Sequence, residues 1–195
     1  RGGALTPFDT VAMLDWSGGN DTGQRPRRDA IWLGVVRGEV EEDPRYLRNR
    51  DEAEAALAAL IEGERAAGRR LLIGVDFPFG FPAGFSATLT GHADPFAVWD
   101  WLEDRIEDTP KANNRFDVAA EINARFPGVG PFWFNGLRRD IAGLPRKDTR
   151  TGHGMAERRV ADARAPGTFT CWQMGGAGAV GGQVLTGLPV LGRLR

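Results

Sequence analysis

The sequence predicts an α/β protein centred on a mixed β-sheet, and three observations predict it. Two apolar runs, Val11-Ala12-Met13-Leu14 and Leu71-Leu72-Ile73-Gly74-Val75, each end in an aspartate followed by turn residues. Continuous runs of this length, bounded by turns, read as strands buried on both faces. Between them, Ile31, Leu33 and Val35 alternate with polar or small neighbours, the two-residue period of a strand. A helical apolar stripe then separates this strand from the last run. A helix in that position is a crossover, which makes the last strand parallel to an earlier one through a right-handed connection.

Taken in order, the first strand is expected over Val11–Ser17 and the second, after a Gly- and Arg-rich connection, over Asp29–Arg37. Gly38-Glu39 is a turn signal, and Arg45–Arg48 reads as a short third strand. Asp51-Glu52-Ala53-Glu54 has the spacing of a capping box. It opens a helix whose apolar face is Ala53, Ala56, Leu57, Leu60 and Ile61, with Gly68 as its stop. Arg70–Phe77 is the fourth strand. Beyond it the pattern turns helical and irregular. Asp94-Pro95 opens one helix with Phe96, Trp99, Leu102 and Ile106 on its inner stripe, and Asn113 or Asn114 caps another that Pro127 stops after Phe126. Gly128–Trp133 reads as loop, Glu157–Arg164 as a short helix, Phe169–Met174 as a short strand and Gly178–Arg195 as a helix containing Pro189. At 195 residues a single domain, 1–195, is expected.

Composition narrows the chemistry. With 42% apolar and 26% charged residues the chain is ordinary for a globular protein. It has no apolar stretch of membrane-spanning length, and Arg1–Thr10 lacks the apolar segment of a signal peptide, so no membrane partner is expected. Cys171 is the only cysteine, which excludes an intrachain disulfide and a cysteine-based zinc cluster and fits a reducing cytoplasm. With only His92 and His153 besides, a metal site would be mainly oxygen-ligated, favouring magnesium or manganese over zinc. The net charge of −1 hides an asymmetry: residues 1–130 carry 15 basic and 22 acidic side chains, residues 131–195 carry 10 and 4. A basic C-terminal third is suited to phosphates, or is simply a solvated arginine-rich surface.

The motifs that carry chemistry centre on Asp15 and Asp76. A carboxylate where a buried strand emerges is costly to desolvate unless cations or donors compensate it. If the two strands are neighbours, the pair makes a divalent-metal site; the competing reading is turn chemistry, for which Asp-x-Pro and Asp-x-Ser-Gly are also suited. Ser17-Gly18-Gly19 allows close backbone approach to a phosphate, or makes a hairpin. Gly176-Ala177-Gly178-Ala179-Val180-Gly181 matches GxGxxG letter for letter. No strand and no acidic residue follow it, so a tight glycine turn is the better reading than dinucleotide binding. Trp16 and the Phe79–Phe85 loop flank the acids and are candidates for base stacking. Cys171 reads as a buried small residue, and His92 and His153 as surface residues.

The segments LDWSGGN, GVDFPFGFPAGF, NNRFDVAAEIN, GPFW and CWQMGGAGAVGGQVLTGLPVLGRLR resemble an uncharacterised bacterial family related to the predicted RNase H-like nucleases of unknown function, from about Phe8 to Arg195. The resemblance implies a ribonuclease H-like fold in which the four strands above lie in the order 3-2-1-4, so that Asp15 and Asp76 leave adjacent parallel strands at one sheet edge. It implies catalytic roles for Asp15, for Asp76 with Pro78 beside it, and for an Arg-x-Asp motif at Arg115 and Asp117. Two residues apart on a helix, that last pair do not share a face, and an ordinary salt bridge is the competing reading. Trp16, Ser17, Gly18 and Gln173 are the expected substrate contacts. The implied activity is a metal-dependent nuclease or phosphoesterase using Mg or Mn, with nucleic acid or a small phosphorylated molecule as substrate. Two alternatives stay open. One is a phosphotransferase of the actin and sugar-kinase type, with Asp15–Asn20 as its phosphate hairpin; the other is a non-catalytic binding protein of the same fold. Proteins of this kind continue into a further acidic strand, whereas this chain runs from Arg1 to Arg195, so a trimmed chain lacking that strand and a third acid is expected.

Overall fold

The computed structural model describes residues 7–195. Its contacts group into two compact units, one running up to Asp76 with Thr109–Lys111 and Leu194, the other comprising Phe77–Asp108, Ala112–Arg193 and Arg195.

The first unit is an open mixed sheet with a crossover helix. Strand β1 (Thr10–Asp15) pairs antiparallel with β2 (Ile31–Arg37), Thr10 opposite Arg37 and Asp15 opposite Trp32. It pairs parallel with β5 (Leu71–Val75), Thr10 beside Leu71 and Leu14 beside Val75. Two short strands, β3 (Val40–Glu41) and β4 (Arg45–Leu47), both pair with β2. Asp43-Pro44 lies between them, and proline has no N–H to continue a ladder. The order is β3-β2-β1-β5 with β4 beside β2, so the expected third and fourth strands are β4 and β5. All three long strands are shorter than expected. At the end of β1 the Trp16 N–H turns away from the ladder and donates to Asp76 Oδ1 at 2.9 Å.

Helix α1 (Arg50–Ala66) buries the expected stripe of Ala53, Ala56, Leu57 and Leu60. Its cap lies two residues before the expected one. Asn49 Oδ1 accepts from Glu52 N at 2.9 Å, while Glu52 Oε2 accepts from Arg48 N at 2.9 Å. Asn49 is extended and half inside the helix, as a cap must be. One sheet face, with Ala12, Leu14, Ile31, Leu33 and Val35, is buried. The other is open: Met13 is 56% and Leu72 42% exposed. The continuous apolar runs therefore do not mark strands buried on both faces. Gly34 and Gly74, flanking Met13 in register, thin the open face; a Cβ on Gly74 would sit 2.5 Å from Met13 Sδ.

A buried carboxylate ties α1 to the sheet. Glu64 accepts from Thr10 Oγ1 at 2.6 Å, Arg37 Nε at 2.7 Å, and Arg69 Nε and Nη2 at 2.6 and 3.0 Å. The hydrogen bonds from Arg69, then those from Thr10 and Arg37, hold its pKa far below the usual carboxylate range.

The second unit is helical and aromatic. It contains α2 (Phe85–Thr90), α3 (Phe96–Glu103), α4 (Arg115–Asn123), α5 (Val160–Ala163) and α6 (Gly181–Leu194). Helix α2, which the sequence pattern did not announce, is six residues between two left-handed glycines, Gly84 and Gly91. On α3 the buried positions are Val98 and Leu102, and Phe96 is exposed, so the inner stripe is rotated from the expected one. Helix α4 ends at Asn123, whose side chain leaves the helix pattern to bond Phe132 N and O and Gly143 O at 2.7–2.9 Å. The expected strand over Phe169–Met174 is reduced to one parallel bridge, Gln173 with Trp133. The core is a ring cluster: Phe85 stacks on Phe126 at 5.3 Å, Phe81 on Trp172 at 5.4 Å, and Phe132 meets Trp172 edge-on at 5.2 Å. Helix α6 is buried along most of its length, and a Cβ on Gly187 would lie 2.2 Å from the Phe77 ring.

Two stability predictions follow from these contacts. Because Glu64 has a depressed folded pKa, its charge stabilises the fold above its ordinary value of 4.5, and that contribution fades as pH falls below it. Glu64→Gln should therefore lower the urea midpoint at pH 7, with the gap to wild type closing in acid. Gly187→Ala should destabilise by ~1–3 kcal/mol through overpacking against Phe77, despite the better helix propensity of alanine, as read from urea midpoints.

Candidate functional site

The parallel register of β1 and β5 carries Asp15 and Asp76 out of the sheet side by side. Neighbouring strands are ~4.8 Å apart, so the two carboxylates meet at one edge, on the open face. Asp76 is fixed by the Trp16 N–H. Its pKa is raised above the ordinary value, first by loss of hydration, against which the Trp16 N–H acts, and then by the negative charge of Asp15 and a hydrogen bond with it. Two anions held this close repel, and the proton is one way to relieve them.

The turn after β1 is held by a residue the sequence reading missed. Arg50, the first residue of α1, is 2% exposed, and its Nη1 donates to Ser17 O at 2.9 Å and to Gly19 O. Gly19 N donates to Ser17 Oγ at 3.2 Å, closing the turn. An arginine in the first turn opposes the helix dipole, which is the one signal in the sequence that Arg50 has a partner outside the helix. Further along, Asn20 Nδ2 donates to Thr109 O at 2.8 Å. Buried Asp21 accepts from Tyr46 Oη and from Gly23 N at 3.0 Å, with Arg27 and Arg48 at 3.7 and 3.8 Å. Trp16 is 2% exposed. Its ring belongs to the core and offers no stacking face; Phe79, at 51%, is the exposed ring of the two candidate segments.

The structure thus brings Asp15, Trp16, Ser17, Gly18 and Asp76 together in the first unit. Arg115, Asp117 and Gln173 belong to the second. There Arg115 opens α4, its Nη1 donating to Asn113 Oδ1 at 2.7 Å and its guanidinium lying 4.6 Å from the Phe116 ring. Asp117 pairs with Arg139 Nη2 through both oxygens, at 2.7 and 2.6 Å, in an exposed ion pair. Gln173 Nε2 donates to Gly175 O at 2.7 Å. Around it the GxGxxG segment is occupied by protein. A Cβ on Gly176 would meet the Phe134 ring at 3.2 Å, on Gly178 the Phe169 ring at 2.3 Å, and on Gly181 the Gln173 carbonyl oxygen at 2.6 Å. These glycines serve close packing. Cys171 is buried and its thiol is pushed up to about 12 by burial. His92 is exposed, while His153 is partly buried and accepts from Met155 N at 3.2 Å.

Among the described residues no group of three or more His, Cys, Asp or Glu side chains converges, and no helix is long and apolar enough to cross a membrane. The Asp15–Asp76 pair is nevertheless a fitting donor set for a hard cation. Magnesium-type ions prefer oxygen ligands, keep several waters and take one or two protein carboxylates. Comparison with family models, curated proteins and solved structures finds no match for the chain.

Because the folded pKa of Asp76 is raised, ionising it destabilises the fold, and this loss develops as pH rises above the ordinary value of 3.8. Asp76→Asn keeps an oxygen for the Trp16 N–H and removes the charge. It should raise the urea midpoint at pH 7, and the advantage should vanish below about 3.8.

Proposed function

We propose that this chain is a metal-dependent phosphodiester or phosphate-ester hydrolase of ribonuclease H-like fold, with Mg or Mn held by Asp15 and Asp76. The observation that carries the reading is the parallel β1–β5 register, which sets two carboxylates together at one sheet edge, where loss of hydration and the charge of Asp15 raise the pKa of Asp76. A bound divalent ion would polarise a phosphoryl oxygen and lower the pKa of a water. The chain's own contributions are simpler. Asp15 and Asp76 supply the anionic oxygens, Trp16 N–H fixes the orientation of Asp76, and Arg50 shapes the Ser17–Gly19 turn that follows Asp15. Arg115 and Asp117 take their parts in this reading from the family resemblance alone. The substrate class is nucleic acid or a smaller phosphorylated molecule.

The two-carboxylate inventory supports a second reading, a scaffold of the same fold that binds without turnover. One series of measurements separates them. Manganese should bind wild type in calorimetry and raise its melting temperature, as any ligand selective for the folded state does. Asp15→Asn and Asp76→Asn should each weaken that binding by more than ~100-fold, the upper end of what loss of even a supporting residue costs a metal site. Turnover of single-stranded, duplex or phosphomonoester substrates that both variants abolish supports the hydrolase. Manganese binding without turnover supports the scaffold, and no manganese binding overturns the metal-dependent hydrolase.

A further inference from the structure

The two carboxylates begin a row that runs across the first unit's sheet. Asp15 is directly opposite Trp32 on β2, and Trp32 is directly opposite Tyr46 on β4. Cross-strand partners share a face, so both rings stand on the side of the sheet to which Asp15 points. Neighbouring strands are ~4.8 Å apart, which puts the indole one strand from the Asp15 carboxylate. Trp32 and Tyr46 are half-buried, their ring centroids 5.3 Å apart and their planes inclined by 58°. The Tyr46 hydroxyl donates to Asp21, which fixes the ring, and the Arg48 guanidinium lies 5.7 Å from its centroid. The antiparallel register also brings the β1–β2 loop out of the sheet at this end. Residues 20–29 carry Arg25, Arg27 and Arg28, all exposed, with Asp29 as the exposed acid beside them. Arg27 and Arg48 approach buried Asp21, whereas Arg25 and Arg28 make no ion pair among the described residues. Through Asn20 the loop holds Thr109, and with it the exposed Lys111 of the same unit.

We infer that this row receives an unpaired nucleic-acid strand, with one base stacked on Trp32 beside the phosphate at Asp15 and Asp76, and with neighbouring phosphates on Arg25, Arg28 and Lys111. The inference rests on the hydrolase reading for the fate of the strand; its binding rests on the rings and the loop. A strand that lays one phosphate at the carboxylates must lay a base and further phosphates close by. The sheet offers a ring at the first place and cations without partners at the second. Stacking on a side chain is open to an unpaired base, because every base has a π-face, while in a duplex the bases stack on one another. A small phosphate ester has no use for the ring pair or for charges beyond the carboxylates. The arginine fork matches phosphate oxygens in shape as well as charge. A lipid surface is the poorer fit, since firm attachment there adds apolar insertion to charge, and Pro26 is the loop's one apolar side chain. The stacking role expected of Trp16, whose ring is in the core, thus falls to Trp32.

The test is fluorescence anisotropy in EDTA with the Asp15→Asn, Asp76→Asn double variant, whose neutral pair admits a phosphate without a cation. The probes are a short labelled single strand, its duplex, the same strand without bases, and phosphatidylserine vesicles. The intact single strand should bind tightest, and the base-free strand ~10-fold or more weakly. In the same background Trp32→Ala should cost the intact strand a similar factor, and Trp32→Phe, which keeps a π-face, less. Arg25→Ala and Arg28→Ala should each reduce the slope of log affinity against log salt by ~0.7. Equal affinity for intact and base-free strands, or a duplex bound as tightly as the single strand, overturns the stacking, and the base-free probe reads this even if Trp32→Ala does not fold. Vesicle binding without strand binding, or binding of neither, overturns the proposal. With the native aspartates and manganese, strand binding without cleavage overturns the hydrolase and leaves the strand site standing. Phosphomonoester turnover without strand binding does the reverse.

Discussion

The parallel pairing of β1 with β5 is the constraint on which the first unit depends. Parallel neighbours cannot be joined by a tight turn, so the chain must leave the sheet, cross it and return. Helix α1 makes that crossing, and a buried charged residue secures it at each end. Arg50 holds the turn that follows β1, and Glu64 gathers Thr10 at the start of β1, Arg37 at the end of β2 and Arg69 just before β5. Burying a charge is unfavourable unless its hydrogen bonds are met. Here Arg50 meets two carbonyls of one turn and Glu64 meets donors from three parts of the unit, so that desolvation is offset and the register of the crossover is specified together. A slip of β5 by one residue would invert its faces and part Asp76 from the Trp16 N–H.

Much of this was legible in the sequence because local signals agreed with the fold. The apolar runs located β1 and β5, the alternation located β2, and the stripe of Ala53, Ala56, Leu57 and Leu60 located the inner face of α1. What escaped has physical reasons. An apolar run does not say whether one face or two will be covered, and Met13 and Leu72 show that one is open. The helix cap falls on Asn49 rather than on the expected Asp51, because Asn49 is the residue the backbone leaves extended. The role of Arg50 emerges only once the turn it binds has been placed. Helix α2 is too short for periodicity to register, and is marked only by the left-handed glycines at its ends.

The second unit shows how one pattern of letters serves two kinds of chemistry. Glycines permit close approach of backbone to something, and the sequence does not name the something. In a dinucleotide site it is a pyrophosphate. Here Phe134 and Phe169 fill the places where Cβ atoms would be, with the Gln173 carbonyl at Gly181 and Phe77 at Gly187 further along α6. The same economy lets α6, with nine buried positions, settle among aromatic rings. Bulky rings and bare backbone are complementary shapes, and close packing of that kind is what stabilises interiors.

The Asp15–Asp76 pair stands apart from both units' packing logic. Elsewhere buried carboxylates meet opposite charges: Glu64 with Arg69, Asp21 with Arg27 and Arg48, Asp162 with Arg159. At the end of β1 and β5 the chain sets carboxylate against carboxylate and supplies Asp76 with backbone donors, the Trp16 N–H and its own. A stabilising role would call for a cation from the chain's own 25 lysines and arginines, and none of the ion pairs described involves either aspartate. An arrangement that holds two like charges together at some expense of stability is characteristic of sites organised for a ligand. A ligand that relieved this pair would be positive, small enough for two neighbouring strand ends, and suited to hard oxygen donors. The divalent cation proposed for the site would meet those requirements.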